Sequence, residues 1–427
     1  MNSLFLENIT IVNYKNIQDS NYELDKKINC FVGDNGVGKT NILDSVYHLS
    51  AAKSYFNSIS SQNIKHEENF MFIEGNFNKN DQKENIICSL KRGKKKTIKR
   101  NGKVYKKFSE HIGLIPVVMI SPYDRDLIQE GSSLRRKFID SIISQNNKTY
   151  LNNLIDYNKV LNQRNALLKF FYKSNTFDVE NLSIYDEQLV KLSYPIFETR
   201  KKFFENFHPV FLKHYDSISQ NKEIISISYQ SQLESESPEN LLKNSIQKDR
   251  IIQFTSCGIH KDDLIMKINN HPIKKFGSQG QQKSFLIALK LAQFEYLKTE
   301  NNSSPILILD DIFDKLDNNR VKQLIQLVNK NLFGQIFISD TDYDRTKKII
   351  QENEQLVADN KELLTENEQL LSEAAEAKEE LARLIEENKQ KELEEAKSKQ
   401  EVEKIMQQRL AEKEAEINKI KAEVKAE

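Results

Sequence analysis

A glycine-rich octapeptide between a strand-like and a helix-like segment constrains this chain more than any other feature. Residues 33–40 match the pattern G-x-x-x-x-G-K-[ST], and the apolar run Ile28–Val32 before them predicts a buried strand. Apolar residues with helical spacing follow, from Ile42 to Leu49. In this context such a loop binds the phosphates of a nucleoside triphosphate together with Mg²⁺. The predicted contacts are Gly33, Asp34, Asn35, Gly36, Val37, Gly38, Lys39 and Thr40.

The residue types of this loop indicate how it would bind the nucleotide. Glycines let backbone N–H groups turn toward phosphate oxygens, and the start of the following helix adds its positive dipole end. Lys39 is predicted to contact the β- and γ-phosphates and to act in catalysis, and Thr40 to bind Mg²⁺. The alternative is a chance glycine-rich turn, which the flanking strand and helix argue against.

A second motif is an apolar run that ends in two carboxylates. Ile306–Leu309 has the composition of a central parallel strand covered on both faces, and Asp310 and Asp311 follow it. The carboxyl ends of parallel strands face the ligand crevice. We therefore expect Asp310 to hold Mg²⁺ through water, and Asp311 to orient or deprotonate an attacking water. Taken alone, the motif also fits a strand that ends in a polar turn.

A third motif is a small, donor-rich turn before an amphipathic helix. Ser278, Gln279, Gly280 and Gln281 can form a second anion site at that helix N-terminus. Because we find only one glycine loop in the sequence, the natural use of a second site is to close over the nucleotide of another subunit. A simple helix cap by Ser278 is the alternative.

Positive charge is concentrated outside the C-terminal segment. Residues 351–427 carry 13 Lys and Arg against 22 Asp and Glu, whereas the rest carries 50 against 40. A basic predicted hairpin, residues 97–106, turns at Asn101-Gly102, a pair typical of type I′ turns. Such clusters suit a phosphate backbone, although a solvated surface run is the alternative. The predicted DNA contacts are Lys94, Lys95, Lys96, Arg100, Arg135 and Arg136.

The chain divides into four regions by pattern. Residues 1–125 and 236–350 alternate strands with helices, and residues 126–235 are mostly helical. The sequence thus predicts an α/β body with an inserted helical lobe. In residues 351–427, Leu356, Leu363 and Leu370 lie seven apart. The spacing, with Asn three residues before each Leu, favours a parallel two-stranded coiled coil. A solvated single helix is the alternative.

The cysteine and hydropathy patterns bear on the cellular environment. Cys30, Cys88 and Cys257 form no CxxC pair, so neither a disulfide framework nor a zinc site is expected. The N-terminus does not resemble a signal peptide, and no apolar run is long enough to cross a bilayer. We expect a cytoplasmic protein without a membrane partner.

Together these strings resemble the RecF family, bacterial recombination-repair ATPases of the ABC/SMC type. The resemblance spans about residues 1–350 and implies a P-loop ABC-type ATPase head with a helical lobe. The acidic tail lies outside it. The matching strings are residues 33–40, Ser121–Asp124, Arg135–Asp140, Gln163–Asn165, Gly258–Leu264, Phe276–Gln282, and Leu309–Asp311 with Leu316-Asp317.

The resemblance implies a function as well as a fold. It implies a homodimer on ATP binding, with Ser278–Gln281 as the signature turn that contacts the partner's ATP and Leu316-Asp317 as the D-loop. Family members bind single-stranded and duplex DNA at gap junctions, act with recombination mediator proteins to help load recombinase, and hydrolyse ATP slowly. A transporter-type ATPase and a coiled-coil assembly protein with an ATP-binding head are the competing hypotheses.

This sequence departs from the ABC pattern at two places. A switch His commonly follows the last core strand, but Phe337–Asp342 contains none. No glutamine of a Q-loop can be assigned near Met119–Asp126. Sensing of the γ-phosphate must therefore use other residues.

Overall fold

The computed structural model describes residues 3–219, 223–301, 303–312 and 333–423. The chain separates into two compact units, residues 1–352 and residues 353–427. The first unit contains every strand and nearly every helix of the described residues. The sequence pattern places the start of the tail at residue 351, two residues before this division.

The strands lie in three sheets. In chain order they are β1 (Leu4–Tyr14), β2 (Ile17–Glu23), β3 (Ile28–Val32), β4 (Phe70–Lys79), β5 (Gln82–Lys91), β6 (Thr97–Arg100), β7 (Lys103–Val104), β8 (Val117–Ile120), β9 (Ile225–Gln230), β10 (Asp263–Ile268), β11 (His271–Pro272), β12 (Ile306–Asp310) and β13 (Ile336–Asp340). One sheet is antiparallel with the order β2-β1-β4-β5-β6-β7, a second has the order β3-β13-β12-β8, and a small third sheet has the order β11-β10-β9.

The helices include one that is far longer than the others. They are α1 (Lys39–Ala51), α2 (Asp126–Gln129), α3 (Ser132–Asn146), α4 (Lys148–Ser174), α5 (Val179–Ser219), α6 (Pro238–Ile252), α7 (Ile273–Phe276), α8 (Gln279–Asn301) and α9 (Tyr343–Glu423). None of the helices in the described part of the chain is both long and apolar enough to span a bilayer.

The second sheet is parallel throughout and is covered on both faces. Every residue of β8, β12 and β13 is buried. Alternate residues enter different cores, because successive strand residues point to opposite faces. Leu307 and Leu309 join a core with α8 and the helical lobe, whereas Ile306 and Ile308 join a core with α1 and the antiparallel sheet. This burial explains why the run before Asp310 is wholly apolar.

The predicted hairpin at Asn101-Gly102 is confirmed. Asn101 and Gly102 both have positive φ, 49° and 78°, as a type I′ turn requires. β6 and β7 pair through Lys99 with Val104 and Arg100 with Lys103. The second strand is shorter than the basic pattern indicated, because Val104 is its last residue.

The middle region is helical only in part. α3, α4 and α5 occupy residues 132–219, but Ile225–Gln230 form β9, which pairs with β10. Alternating burial of Ile225 and Ile227 suits a strand with one covered face. The end of the region predicted to be a helical lobe therefore belongs to a small sheet shared with the following region.

Two buried arginines tie the helical lobe together. Arg164 on α4 pairs with Asp186 at 2.6 Å and Asp249 at 2.7 Å. Arg200 on α5 pairs with Asp140 at 2.9 Å and with Asp262 at 2.7 Å. A buried charge without its partner is costly, so these pairs fix the helices against one another.

Candidate nucleotide-binding site

The glycine loop lies where β3 ends and α1 begins. Gly36 and Gly38 have φ of 86° and 110°, values that favour glycine. A Cβ on Gly38 would also lie 3.0 Å from the side chain of Asn16. Gly38 caps α1 without a side-chain acceptor, and the first turn of α1 contains no acidic residue. The N–H groups of this turn are therefore suited to a phosphate.

Lys39 lies inside the loop rather than in solvent. Its side chain is buried, and Nζ donates to the carbonyl oxygens of Gly33 at 2.8 Å and Asp34 at 2.9 Å. The ammonium group is thus held beside the same backbone that would surround the phosphates. This position fits the predicted role of Lys39 toward the β- and γ-phosphates.

Thr40 and Asp310 meet although 270 positions separate them in the chain. Thr40 Oγ1 donates to Asp310 Oδ1 at 2.8 Å. The order β3-β13-β12 brings the carboxyl ends of the two parallel strands to the same edge. Burial raises the pKa of Asp310, and hydrogen bonds from Thr40 and Ser339 oppose that rise.

This donor set fits magnesium. Mg²⁺ in nucleotide sites uses one or two carboxylates together with substrate phosphates and water, rather than an all-protein cage. Within residues 3–219, 223–301, 303–312 and 333–423, no cluster of three or more His, Cys, Asp or Glu could hold a metal by itself. A hydroxyl and one buried carboxylate beside a phosphate loop therefore suit a metal bound together with nucleotide.

Asp311 directly follows β12 in a left-handed conformation. Its φ is 46°, and its N–H donates to Ser339 Oγ at 3.0 Å. Ser339 Oγ in turn donates to Asp310 Oδ1 at 2.9 Å. Ser339 thus holds both carboxylate residues in place from the neighbouring strand β13. The role of Asp311 toward water stays a prediction.

Sequence reasoning missed Asn16 and assigned no role to Ser339. Asn16, in the turn between β1 and β2, donates to the Gly36 carbonyl at 3.3 Å and accepts from Asn41 Nδ2 at 2.7 Å. No motif marks Asn16, since its contacts depend on how two sheets pack. Ser339 lies in the segment that lacks a switch His, and its place beside Asp310 follows from the strand order, which motifs do not reveal.

The turn at Ser278–Gln281 caps α8. Ser278 N–H donates to Gln281 Oε1 at 2.7 Å, and Gln281 N–H donates to Ser278 Oγ at 3.2 Å. This reciprocal cap matches the simpler alternative, yet Ser278 and Gln279 remain exposed. No hydrogen bond between described residues joins the turn to residues 33–40 of the same chain.

The predicted DNA contacts have different surroundings. Lys94 and Lys95 are exposed in the turn between β5 and β6. Lys96 is half-buried and donates to the Ala52 carbonyl. Arg100 Nε donates to Glu84 at 2.8 Å. Lys96 and Arg100 therefore already form hydrogen bonds within the protein.

Arg135 and Arg136 also act within the molecule. Arg135 forms a bidentate pair with Asp263, at 2.6 and 3.0 Å. Arg136 donates to the Asp262 carbonyl at 2.6 Å and to Ser132 at 2.7 Å. Both were expected to contact DNA, and these bonds fasten α3 to Asp262 and to Asp263, the first residue of β10. A run of basic letters does not reveal that acidic partners lie opposite. The role of all six residues toward DNA stays a prediction, and Lys94 and Lys95 are the two whose side chains are exposed.

Leu316-Asp317, expected to be the D-loop, lies outside the described residues.

The fold and the phosphate loop define the class of the protein: a P-loop ATPase head of the ABC/SMC type. Residues 5–365 match the family model described as the RecF/RecN/SMC N-terminal domain.

Individual relatives narrow this class. The DNA replication and repair protein RecF of Flavobacterium johnsoniae is 56% identical over 352 residues, 82% of this chain and 98% of the relative. RecF of Phocaeicola vulgatus is 48% identical over 355 residues, 82% of this chain and 95% of the relative. This chain therefore belongs to the RecF family of DNA replication and repair proteins.

A solved structure shows the same fold. The structure described as the recombination mediator protein RecF-ATP in the RecFOR pathway superposes with a TM-score of 0.74 at 30% identity. The match covers 80% of this chain and 92% of that one. The family model ends at residue 365, so most of α9 lies beyond it.

Proposed function

We propose that this chain is an ATP-dependent DNA clamp for recombinational repair of single-strand gaps and for maintenance of replication. Two copies close into a homodimer on ATP, and each nucleotide lies between residues 33–40 of one copy and the turn Ser278–Gln281 of the other. The clamp binds single-stranded and duplex DNA at gap junctions and works with recombination mediator proteins that help load recombinase. The proposal implies a protein in the compartment that holds the chromosome.

The observation that carries the proposal is the division of the site. The phosphate loop, Thr40 and Asp310 form one part, at the edge of the parallel sheet. The exposed turn at Ser278 caps a different helix and makes no hydrogen bond to the loop within the described residues. A turn of this kind is available to a second copy, and the solved RecF-ATP structure supports nucleotide as the ligand.

The residues at the end of the phosphate loop and at the end of β12 would also hold Mg²⁺. Thr40 would supply an oxygen ligand and Asp310 would hold the metal through water, and the bound metal would neutralise charge that develops on the phosphates. Lys39 adds positive charge at the β- and γ-phosphates, and Asp311 orients or deprotonates the attacking water. We propose slow hydrolysis whose role is to release the clamp.

The surface proposed for DNA lies at one end of the antiparallel sheet. Phe70 at the start of β4 pairs with Lys91 at the end of β5, and the turn with Lys94 and Lys95 follows. Tyr14, at the end of β1, pairs with Ile17 beside Asn16, which contacts the phosphate loop. Because Val12 near the end of β1 pairs with Phe72 near the start of β4, the lysines and the phosphate loop share one end of the sheet.

The proposal is tested by DNA binding with and without nucleotide. Fluorescence anisotropy would follow a labelled gapped duplex at fixed salt, with single-stranded and fully paired DNA for comparison. We expect ATP with Mg²⁺ to strengthen binding by roughly tenfold or more, a typical coupling between two ligands. Lys39→Ala should remove this effect, whereas Lys83→Ala, at an exposed strand position, should not. Binding that ignores both ATP and Lys39→Ala would contradict the clamp.

A further inference from the structure

A chain of buried and partly buried polar contacts joins the phosphate-loop helix α1 to the signature helix α8. It begins at Asp44, which lies one turn after Thr40 and is fully buried. Asp44 Oδ1 accepts from the backbone N–H of Tyr55 at 2.7 Å, and Oδ2 accepts from Ser54 Oγ at 2.6 Å. The segment after α1 is therefore fastened to α1 itself.

Tyr55 carries the contact onward to α8. Its hydroxyl donates to Asp124 Oδ1, and Lys290 Nζ pairs with the same oxygen at 2.8 Å. Lys290 Nζ also donates to the Tyr55 hydroxyl, at 2.9 Å. Burial and the Asp124 carboxylate raise the pKa of Tyr55 well above its ordinary value, so the hydroxyl keeps its proton. Three side chains from three segments thus form one closed cluster.

Burying the charged groups of this cluster costs free energy that a cluster of apolar side chains would not cost. Lys290 and Asp124 are each 4% exposed, and charged groups so deeply buried give little net stability even when paired. Lys290 also lies over the rings of Tyr55 and Phe138, with Nζ 5.2 and 5.4 Å from the centroids. Apolar residues would fill the same volume. The charged cluster is therefore better explained by the positions that it gives to α1 and α8.

Asp124 belongs to a segment that reaches the signature helix a second time. Ser121 N–H donates to Asp124 Oδ2 at 2.8 Å, which fixes Asp124 after β8. Farther along the same segment, Gln129 Nε2 donates to Gln282 Oε1 at 2.9 Å. Gln282 directly follows the signature turn. The segment 121–129 therefore holds α8 both at Gln282 and at Lys290, about two helical turns farther along.

We propose that Tyr55, Asp124 and Lys290 form a positioning cluster that sets the place of the signature turn relative to the phosphate loop. The inference rests on the proposed function, since that turn is taken to complete the partner's nucleotide site. A shift of α1 on nucleotide binding reaches α8 through this cluster. The three residues are positioning residues, because none of them belongs to the phosphate loop or to the turn.

The test uses the full chain and two matched variants. Tyr55→Phe removes one buried hydroxyl that donates to a carboxylate. Tyr229→Phe removes a similar bond, from Tyr229 to Asp262 Oδ2 at 2.5 Å, in the small sheet. Sedimentation velocity would measure dimerisation with ATP and Mg²⁺, and a fluorescent ATP analogue would measure affinity at concentrations where the chain is monomeric.

We expect Tyr55→Phe to weaken ATP-dependent dimerisation at least tenfold while monomer affinity for the analogue changes less than twofold. Tyr229→Phe should lower thermal stability similarly and leave dimerisation intact. Lys290→Met combined with Asp124→Asn, which removes both charges together, should behave like Tyr55→Phe. Equal dimerisation of Tyr55→Phe and the wild type, or equal losses in both tyrosine variants, would overturn the inference.

A second readout separates this inference from the clamp itself. Hydrogen–deuterium exchange would compare residues 278–284 with and without ATP at monomer concentrations. We expect ATP to change exchange there in the wild type and not in Tyr55→Phe. If the wild type stays monomeric with ATP, the clamp fails, and the exchange result still decides the cluster: no ATP-dependent change at residues 278–284 overturns it.

Discussion

Different interactions stabilise the head, residues 1–352, and the tail, residues 353–427. The head has two large apolar cores, buried arginine pairs and polar groups that meet across hundreds of positions. In the tail, the large apolar side chains that the structure describes are exposed, and Leu363, Leu370 and Leu381 are each more than half exposed. Its ion pair Arg383–Glu387 spans one helical turn at the surface.

This difference shows where a single change can matter. In the head, side chains depend on partners far away in sequence, so loss of one partner leaves a buried group unpaired. In the tail, contacts are local and solvated, and each contributes little. The chemistry assigned to the protein also lies wholly in the head.

The largest expected effect is on the stability of the head. Arg200→Met removes a fully buried charge that pairs with Asp140 and Asp262, which should cost about 3–5 kcal/mol of unfolding free energy. Arg383→Ala in the tail should cost less than ~0.5 kcal/mol. Urea unfolding followed by circular dichroism would measure both. Similar values for the two variants would break the comparison.

The second largest effect is expected from acid, which should lower the unfolding free energy of the head. Burial lowers the pKa of His48 to about 3 and of His260 to about 4. The unfolded chain takes up these protons near pH 6.5 and the folded head does not, so stability falls as the pH drops below 6.5. Together the two groups should cost about 3 kcal/mol by pH 5.5.

Thermal melts at pH 7.0 and 5.5 would check this slope. His260→Gln should make the slope shallower, whereas His66→Gln should not, because the His66 side chain is exposed. The tail contains no histidine and should not share the effect. Equal stability of the wild type at both pH values would show that the buried histidines do not resist protonation.

Nucleotide affinity should depend on one lysine of the head. Lys39→Ala removes the ammonium group held beside the loop carbonyls, and we expect roughly 100-fold weaker ATP binding from loss of charged hydrogen bonds. Isothermal titration calorimetry would measure the change, with Lys83→Ala as the control. Unchanged affinity would remove Lys39 from the site.

DNA affinity should follow the basic turn of the head. Replacing Lys94 and Lys95 together by Ala should weaken binding about tenfold at moderate salt and lower the salt slope by about 2. The matched change at Lys397 and Lys399, in the acidic tail, should have no such effect. Anisotropy titrations at several salt concentrations distinguish the two. Equal effects would move DNA binding away from the β5–β6 turn.

The smallest effect is expected from removing the tail. A chain that ends at Glu352 retains both cores of the head, so its melting temperature and its response to ATP should match those of the full chain. Sedimentation with ATP would test this. Loss of ATP-dependent dimerisation on truncation would favour the alternative, a protein whose tail drives assembly.

The sequence predicted local motifs well and long-range partners poorly. Local spacing and backbone preferences can be read directly from the sequence. They were sufficient to predict the loop at residues 33–40, the strand ending at Asp310 and the turn at Asn101-Gly102. The partners of Arg135, Asn16 and Lys290 depend on how separate sheets and helices pack. The sequence marked Arg135 as basic, but only the fold shows Asp263 beside it.

The strand at Ile225–Gln230 illustrates the same limit. Its alternating pattern is short and directly follows the long helix α5, so the surrounding helical pattern dominated the prediction. Pairing with β10, more than thirty positions later, decides the structure there.

The most direct test of the shared nucleotide site mixes two defective chains. Lys39→Ala damages the phosphate loop, and Ser278→Arg damages the turn, so neither chain alone should dimerise with ATP and Mg²⁺ in sedimentation velocity. A mixed pair contains one intact site, built from Lys39 of one chain and Ser278 of the other. We predict that mixing restores an ATP-dependent dimer. No dimer in the mixture, or full dimerisation of either variant alone, would contradict a site shared between two copies.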